Sequence, residues 1–135
     1  MRKVFVDTVV WIVLLNSSDG LHTPAQQVMH DLRQQNVQFV TTEFVLIEVA
    51  DALSAPIVRA HIVAFINGLR QLAILHITLA NPNLLADGWT LYSQHPDKEW
   101  SLTNCISFVV MPHEHMTRAF TSDHHFEQAG FVKLL

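Results

Sequence analysis

Cysteine is almost absent from this chain of 135 residues, since Cys105 is the only one. A single cysteine excludes an internal disulfide and a cysteine-rich zinc site. Charged residues are also few, at 15%, whereas 50% of the residues are hydrophobic. This balance excludes disorder as the main state, because disordered chains are rich in charge and poor in hydrophobic residues. With five prolines and four glycines, a fibrous or low-complexity protein is excluded too.

Long hydrophobic runs are missing as well. The longest unbroken run extends from Val9 to Leu15, far short of the roughly 20 residues that a membrane-spanning helix needs. Asp7 comes too early for the hydrophobic segment of a signal peptide. We therefore expect a cytoplasmic protein without membrane association. The length predicts one domain, residues 1–135, because it matches the common size of a single domain.

Basic residues are outnumbered, with eight lysines and arginines against twelve acids and a net charge of −4. A protein that coats DNA without regard to sequence is normally basic, so this balance argues against that class. An enzyme that meets nucleic acid through bound cations remains compatible with the charge.

Strand and helix signals alternate along the chain. Short hydrophobic runs predict strands over residues 3–6, 37–41, 72–77, 116–120 and 131–133. Helical spacing predicts helices over residues 8–15, 24–35, 43–53, 57–71, 82–94 and 102–111, and a short helix between residues 122 and 130. Strands separated by helices predict an α/β fold with a central, mostly parallel sheet covered on both faces.

Several polar residues and prolines predict where these helices begin and end. Thr23, Asn81 and Ser101 are expected to be N-caps, and Thr42 to open the helix that follows it. Pro112 is expected to end the helix that begins at residue 102, because proline disrupts a continuing helix.

Two acids follow predicted strands directly. Asp7 comes after the first strand, and Asp123 comes after the strand over residues 116–120. Ligands of open α/β sheets bind outside the carboxyl ends of the strands, so both carboxylates are expected at one edge if these strands are central and parallel. Each acid also has a structural interpretation, because aspartate caps and stabilises helix N-termini.

Glu48 lies among hydrophobic neighbours in the helix predicted over residues 43–53. A buried carboxylate costs several kcal/mol unless it is paired or bound to a metal. Glu48 therefore requires a partner, which is either a metal or an arginine such as Arg59 or Arg118. A group of carboxylates without cysteine favours the hard cations Mg²⁺ or Mn²⁺, which serve in phosphodiester cleavage.

Four segments together resemble PIN domains, in particular the prokaryotic PIN proteins of the VapC toxin type. They are Phe5-Val6-Asp7-Thr8 with Val10-Trp11, the stretch from Thr41 through Glu48 to Leu53, Trp100 through Phe108, and Thr121 through Phe126. The segments stand in the family's order and span nearly the whole chain. The Trp-Ser-Leu-Thr and Asp-His-His-Phe sequences within them are the more specific signals.

The resemblance implies a three-layer α/β/α sandwich and a metal-dependent endoribonuclease. It implies an acidic site at Asp7, Glu48 and Asp123 that holds Mg²⁺ or Mn²⁺. An RNA substrate is implied, and so is the role of toxin in a type II toxin–antitoxin pair, with a cognate antitoxin as partner. Homodimers are frequent in the family, so a homodimer is also expected.

Asn104 departs from the family pattern, because an aspartate usually follows the Trp-Ser-Leu-Thr sequence. Asparagine still offers a carbonyl oxygen to a metal but brings no negative charge. We expect Asn104 to remain in the catalytic and metal-binding set while weakening metal affinity. Two alternatives stay open: a catalytically impaired PIN fold that binds RNA or a protein partner, and a small phosphatase or other metal hydrolase.

Other residues near these segments have two interpretations each. Thr8 and Ser122 adjoin the aspartates and either orient them or bond to the local backbone. Asp97 and Glu99 lie in the loop before Trp100. Asp97 is a candidate for a peripheral metal ligand, although a role in the turn of this loop is preferred.

Aromatic and histidine residues also allow a structural interpretation beside a functional one. Trp11, Trp89 and Trp100 are candidates for stacking on RNA bases, although packing in the core or a dimer interface is preferred. The pair His124 and His125 allows a zinc or phosphate-site interpretation, but surface packing is preferred.

Overall fold

Residues 2–135 are described by the computed structural model, and they form five strands and seven helices. The strands are β1 (Lys3–Val6), β2 (Gln38–Thr42), β3 (Leu75–Thr78), β4 (Arg118–Phe120) and β5 (Val132–Lys133). The helices are α1 (Thr8–Leu15), α2 (His22–Gln34), α3 (Glu43–Ala52), α4 (Pro56–Leu69), α5 (Pro82–Gln94), α6 (Leu102–His113) and α7 (His125–Gln128).

All strands belong to one sheet with the order β3-β2-β1-β4-β5, and every neighbouring pair is parallel. Helices connect the parallel strands and cover the sheet, so the predicted three-layer α/β/α sandwich is confirmed. Within residues 2–135, no helix combines the length and the hydrophobicity that crossing a bilayer requires.

The strand order reverses direction next to β1, because the chain moves from β1 to β2 and β3 on one side and returns to β4 and β5 on the other. Phe5 pairs with Ala119 and Val6 with Phe120, so β1 and β4 end side by side. Such a reversal leaves a crevice at the carboxyl ends of the two strands, where open α/β folds bind their ligands.

A cluster of aromatic rings joins the sheet to the carboxyl-terminal helices. Phe108 of α6 packs edge-on against Phe126 of α7, with ring centroids 4.9 Å apart, and against Trp100, at 5.1 Å. Phe126 also contacts Phe5 of β1, at 6.2 Å. Each of these side chains is buried, so the cluster fixes α6 and α7 beside the carboxyl end of β1.

The predicted helix starts are confirmed at three positions and wrong at one. The side chains of Thr42, Asn81 and Ser101 accept hydrogen bonds from backbone N–H groups of the helices they precede. Thr23 is not an N-cap, because α2 already begins at His22. The preceding turn explains the earlier start, since Asp19 accepts bonds from the N–H groups of both residue 21 and His22.

Pro112 does not end α6, which continues to His113. The prediction fails because a proline in the last turn removes only one backbone hydrogen bond, while the Glu114 N–H still donates to the Val110 carbonyl at 3.0 Å. The third strand is shorter than predicted, because the residues before Leu75 form a turn in which the Leu75 N–H donates to the Leu72 carbonyl.

Gly88 allows α5 and α6 to approach closely. A Cβ atom built on Gly88 would overlap Cγ1 of Ile106 and lie 3.2 Å from the Ile106 Cα. The helices therefore touch backbone to side chain at this point. Gly68 of α4 differs, because nothing lies within 4 Å of a Cβ added there.

We predict that Gly88→Ala lowers the free energy of unfolding by about 1–3 kcal/mol, because the added methyl group forces α5 and α6 apart. Gly68→Ala is the matched control and should raise stability by up to about 1 kcal/mol, since alanine favours helix over glycine. Urea titrations followed by circular dichroism measure both. Equal effects of the two substitutions would contradict the proposed close approach.

Candidate active site

An open cleft of about 410 Å³ lies at the carboxyl ends of β1 and β4. We call it the acidic cleft, and it is lined by Asp7, Thr8, Val9, Ile12, Glu48, Ala52, Glu99, Ser101, Asn104, Asp123 and His125. All four residues predicted as the site, Asp7, Glu48, Asn104 and Asp123, are therefore brought to one cleft. Residues far apart in the chain meet there because β1 and β4 are adjacent and α3 and α6 pack beside them.

Asp7 is the most buried acid of the cleft, with 3% of its surface exposed. It lies at the start of α1, but its side chain does not cap that helix. Its Oδ2 atom instead accepts a hydrogen bond of 2.9 Å from the hydroxyl of Thr121, just after β4. Thr121, and not the N-terminus of α1, therefore holds this carboxylate in place.

The pKa of Asp7 is raised from the ordinary value of 3.8 to about 7. Burial is the main cause, since it disfavours the charged carboxylate, and the negative charges of Asp123 and Glu48 act in the same direction. Hydrogen bonds from the Thr8 backbone and the Thr121 hydroxyl partly oppose this shift. No lysine or arginine is among the groups that act on the pKa of Asp7.

Asp123 lies between β4 and α7, where the local backbone fixes its carboxylate. Its Oδ1 accepts the N–H of His125 at 2.9 Å, and its own N–H donates to the Thr121 hydroxyl at 3.0 Å. Thr121 therefore contacts both aspartates of the cleft. Thr121, the residue directly after the strand, therefore has the orienting contacts that were predicted for its neighbour Ser122.

Asn104 stands in the first turn of α6, where the Ser101 cap fixes the start of the helix. It is buried, and its Nδ2 atom donates to Oδ2 of Asp123 at 3.3 Å. The same nitrogen lies 3.5 Å from Nδ1 of His125. A carboxylate at position 104 would instead face Asp123 with like charge, so the asparagine suits a cleft without a bound cation.

Glu48 is half-buried on α3 and faces the acidic cleft. The arginine partners considered for it are wrong, since no ion pair within residues 2–135 involves Glu48. Arg59 donates to the carbonyl of Ser54, and Arg118 begins β4 at the opposite edge of the sheet. Exposure to the open cleft explains how Glu48 is tolerated without an arginine.

The residues that line the cleft offer oxygen ligands but include no lysine or arginine. The lysine and arginine ion pairs of the described chain join Lys3 to Glu114, Arg70 to Glu43 and Lys98 to Asp97, and none of them reaches the cleft. The Thr8 hydroxyl is buried beside Asp7 without a hydrogen-bond partner among residues 2–135. Carboxylates, a neutral amide and an unpartnered hydroxyl form a donor set that fits a hard divalent cation.

Glu99, rather than Asp97, reaches the acidic cleft. The side chain of Asp97 pairs with Lys98 instead, at 3.5 Å. Ordinary sequence signals did not separate these two acids, because both lie in the same loop before Trp100.

A larger cleft of about 720 Å³ adjoins the acidic cleft and shares Glu99 and Ser101 with it. We call it the aromatic cleft, and its remaining lining is Trp89, Tyr92, Ser93, His95, Pro96, Lys98, Trp100 and Leu102. The rings of Trp89 and Tyr92 stack with centroids 5.5 Å apart, and they are 58% and 44% exposed. The prediction of packing in the core is confirmed for Trp11 and Trp100, which are buried, whereas Trp89 is exposed.

Comparisons with curated proteins and with solved structures find the same similar protein. No family model matches the chain. Among curated proteins, the 23S rRNA-specific endonuclease VapC20 of Mycobacterium tuberculosis, from strains CDC 1551 and H37Rv, is 26% identical over 131 residues, or 97% of each chain. This chain is similar to VapC20. The crystal structure of VapC20, described as a toxin that cleaves the sarcin–ricin loop, superposes with a TM-score of 0.82, covers 96% of both chains and shares 26% identity.

We predict that Asp7→Asn stabilises the metal-free protein above neutral pH. Because folding raises the pKa of Asp7 from 3.8 to about 7, the folded state holds this proton more tightly than the unfolded chain. The contribution of Asp7 to stability is therefore largest at low pH and falls as the pH rises toward 7, by up to about 4 kcal/mol. Asparagine keeps an acceptor for Thr121 and has no proton to lose.

Urea titrations in EDTA between about pH 5 and about pH 8 measure this difference. The stability gain of Asp7→Asn over the wild-type chain should grow as the pH rises. Asp87→Asn is the matched control, because Asp87 is exposed on α5 away from the acidic cleft. A gain from Asp7→Asn that does not change with pH would contradict the prediction.

Proposed function

We propose that this chain is a metal-dependent endoribonuclease of the PIN type, acting as the toxin of a type II toxin–antitoxin pair. The observation that carries the proposal is the convergence of Asp7, Glu48 and Asp123 on one cleft that no lysine or arginine lines. Similarity to VapC20 over nearly the whole chain supports the reaction class. An RNA substrate of this kind would be met in the cytoplasm, as the sequence predicted.

Asp7 and Asp123 would hold the cation, Mg²⁺ or Mn²⁺, with the carbonyl oxygen of Asn104 as a neutral ligand after its amide turns over. When bound, the cation lowers the pKa of a water molecule and offsets charge on the phosphate. Thr121 keeps the carboxylate of Asp7 and the backbone of Asp123 in place through its hydroxyl. The two aspartates therefore need little rearrangement to act together.

Glu48 is suited to a different task because it is half-buried and free of ion pairs in residues 2–135. We assign it the orientation of the attacking water and the acceptance of its proton. The Thr8 hydroxyl has an unused hydrogen bond beside Asp7, and we assign it to an oxygen of the scissile phosphate. Catalysis would then combine positioning with charge neutralisation, and no covalent intermediate with the protein would form. The water oxygen would bond to phosphorus as the bond to the leaving ribose oxygen breaks, and that oxygen would take a proton from solvent.

Asn104 makes a catalytically impaired binding module the second candidate. Its amide nitrogen satisfies Asp123 as the chain stands, and it removes one negative charge from the expected cation site. Such a module would still bind RNA or a protein partner. The two candidates differ in whether RNA is cleaved.

Cleavage of RNA by the purified chain in Mg²⁺ or Mn²⁺ tests the proposal, with single-stranded RNA and a sarcin–ricin-type stem–loop as substrates. We predict cleavage that EDTA and Asp7→Ala abolish. Asn104→Asp should bind Mg²⁺ roughly tenfold more tightly and cleave faster, because ligand charge sets affinity for hard cations. The same variant should be less stable than the wild-type chain in EDTA, since it places a carboxylate against Asp123.

Asn67→Asp is the matched control, because it adds the same charge on an exposed position of α4. Cleavage by Asn104→Asp alone would favour the impaired binding module for the present chain. If neither form cleaves any RNA but a small phosphoester is hydrolysed, the nuclease proposal fails and a phosphatase replaces it.

The aromatic cleft gives the RNA a place beside the acidic cleft. Trp89 and Tyr92 are exposed aromatic residues, and nucleobases of unpaired nucleotides stack on such rings with little regard to sequence. Because Glu99 and Ser101 line both clefts, a base that stacks in the aromatic cleft lies next to the acidic cleft. We propose that an unpaired nucleotide next to the scissile phosphate binds in the aromatic cleft.

We predict that Trp89→Ala raises KM for RNA roughly tenfold with a smaller change in kcat, since stacking on one aromatic ring contributes about 1–3 kcal/mol per base. Leu85→Ala is the matched control, because Leu85 is an exposed hydrophobic residue on the same helix but does not line the aromatic cleft. Steady-state kinetics on a short RNA measure both. A change of oligomeric state in Trp89→Ala, with KM unaltered, would assign Trp89 to a protein interface instead.

Exposed hydrophobic residues on α4 support the partners that the sequence predicted. Ile57 is 93% exposed and Val63 is 54% exposed, which favours a contact with another protein. We propose this helix for the homodimer or the cognate antitoxin. A single domain over residues 1–135 is part of the same proposal and is supported by one continuous cluster of buried side chains.

A further inference from the structure

Three consecutive residues place metal-ligating atoms together at the rim of the acidic cleft. They are Asp123, His124 and His125, and one ligand atom from each lies within 4.8 Å of the others. Only the aspartate was predicted as a site residue. The two imidazoles bring nitrogen donors to a cleft whose other candidate ligands are oxygens.

His125 is held against the acids rather than directed into solvent. Its side chain is 17% exposed, and Nδ1 lies 3.1 Å from Oδ1 of Asp123. Two ligands that each lie about 2.0–2.2 Å from one ion, at angles between octahedral and tetrahedral, are roughly 2.8–3.6 Å apart. The observed separation therefore matches one edge of a coordination polyhedron before any side chain moves.

His124 completes the group from the solvent side. Its ring packs against His125 with centroids 4.3 Å apart. Its Nδ1 lies 3.9 Å from the same oxygen of Asp123, and its side chain is 69% exposed. This ring is free to rotate toward an ion held by Asp123 and His125.

Asn104 lowers the negative charge of the group. Its amide is neutral, and it lies 3.5 Å from Nδ1 of His125. A site that holds one carboxylate fewer attracts Mg²⁺ less, because hard cations depend on charged oxygen ligands. Imidazole nitrogen is a preferred ligand of Co²⁺, Ni²⁺ and Zn²⁺, whereas carboxylate oxygen suits Mg²⁺.

We propose that Nδ1 of His125 is a ligand of the cation site, with His124 as an outer ligand, and that the site selects transition-metal ions over Mg²⁺. The inference rests on the proposed function for the role of the ion, whereas its binding is measured without RNA. It names the cofactor class more narrowly than the carboxylates alone do. A direct ion pair between the imidazole of His125 and the carboxylate of Asp123 is the competing explanation for their distance.

His125→Asn separates the two explanations. An asparagine side chain places an amide nitrogen near the position of Nδ1, so it keeps a donor to Asp123 but has no nitrogen lone pair for a metal. His30→Asn is the matched control, because His30 is exposed on α2, away from the cleft. His124→Asn measures the outer ligand.

The full-length chain, purified without a polyhistidine tag, is titrated with CoCl2, NiCl2 and MgCl2 by calorimetry, and the Co²⁺ form by visible absorption. We expect His125→Asn to weaken Co²⁺ and Ni²⁺ binding at least tenfold and to change the Co²⁺ bands, while Mg²⁺ affinity changes less than threefold. His124→Asn should weaken Co²⁺ binding roughly threefold. His30→Asn should leave all affinities unchanged.

Equal losses for Mg²⁺ and Co²⁺ in His125→Asn, with unaltered Co²⁺ bands, would overturn the inference and leave His125 as a positioning residue for Asp123. An equal effect of His30→Asn would also overturn it by showing binding at surface histidines. If His125→Asn shows the expected loss but none of the tested metals supports RNA cleavage, the nuclease proposal fails while the metal site stands. RNA cleavage that depends on Mg²⁺, with Co²⁺ affinity insensitive to His125, gives the reverse result.

Discussion

The parallel pairing of β1 with β4 is the contact on which the acidic cleft depends. It sets Val6 beside Phe120, so the next residues of both strands, Asp7 and Thr121, leave the sheet together. The hydrogen bond between them then joins two segments that are 114 residues apart in the chain. Like charges gather at this edge because no lysine or arginine lines the cleft, and they add to the effect of burial, which is the main cause of the raised pKa of Asp7.

Much of this arrangement could be predicted from the sequence, because it follows from local patterns. The alternation of strands and helices gave the α/β class, and polar caps such as Ser101 marked helix starts that the structure confirms. Asp7 and Asp123 were expected at one sheet edge, since both follow strands directly, and Asn104 stood out only through the resemblance to PIN domains. Their meeting in one cleft is confirmed, whereas their catalytic and metal-binding roles stay predictions.

Features that depend on tertiary contacts could not be predicted in the same way. Glu48 was expected to be buried and paired, but α3 turns it toward an open cleft, and hydrophobic neighbours in sequence do not show which face of a helix is covered. Thr121 was overlooked because a threonine next to a strand has no distinctive signal until its partner is known. Trp89 was expected to pack in the core or in a dimer interface; packing in the core is wrong, because the side chain is exposed on α5, whereas the dimer interface stays a prediction.

The close approach at Gly88 bears on the acidic cleft, although Gly88 does not line it. Ile106, which Gly88 touches, is only two residues after Asn104 on the same rigid helix. A displacement of α6 by a few tenths of an ångström would therefore be carried to the mouth of the cleft as a change in its width. The spacing of the residues that line the cleft would then depend on a residue of α5 that does not line it.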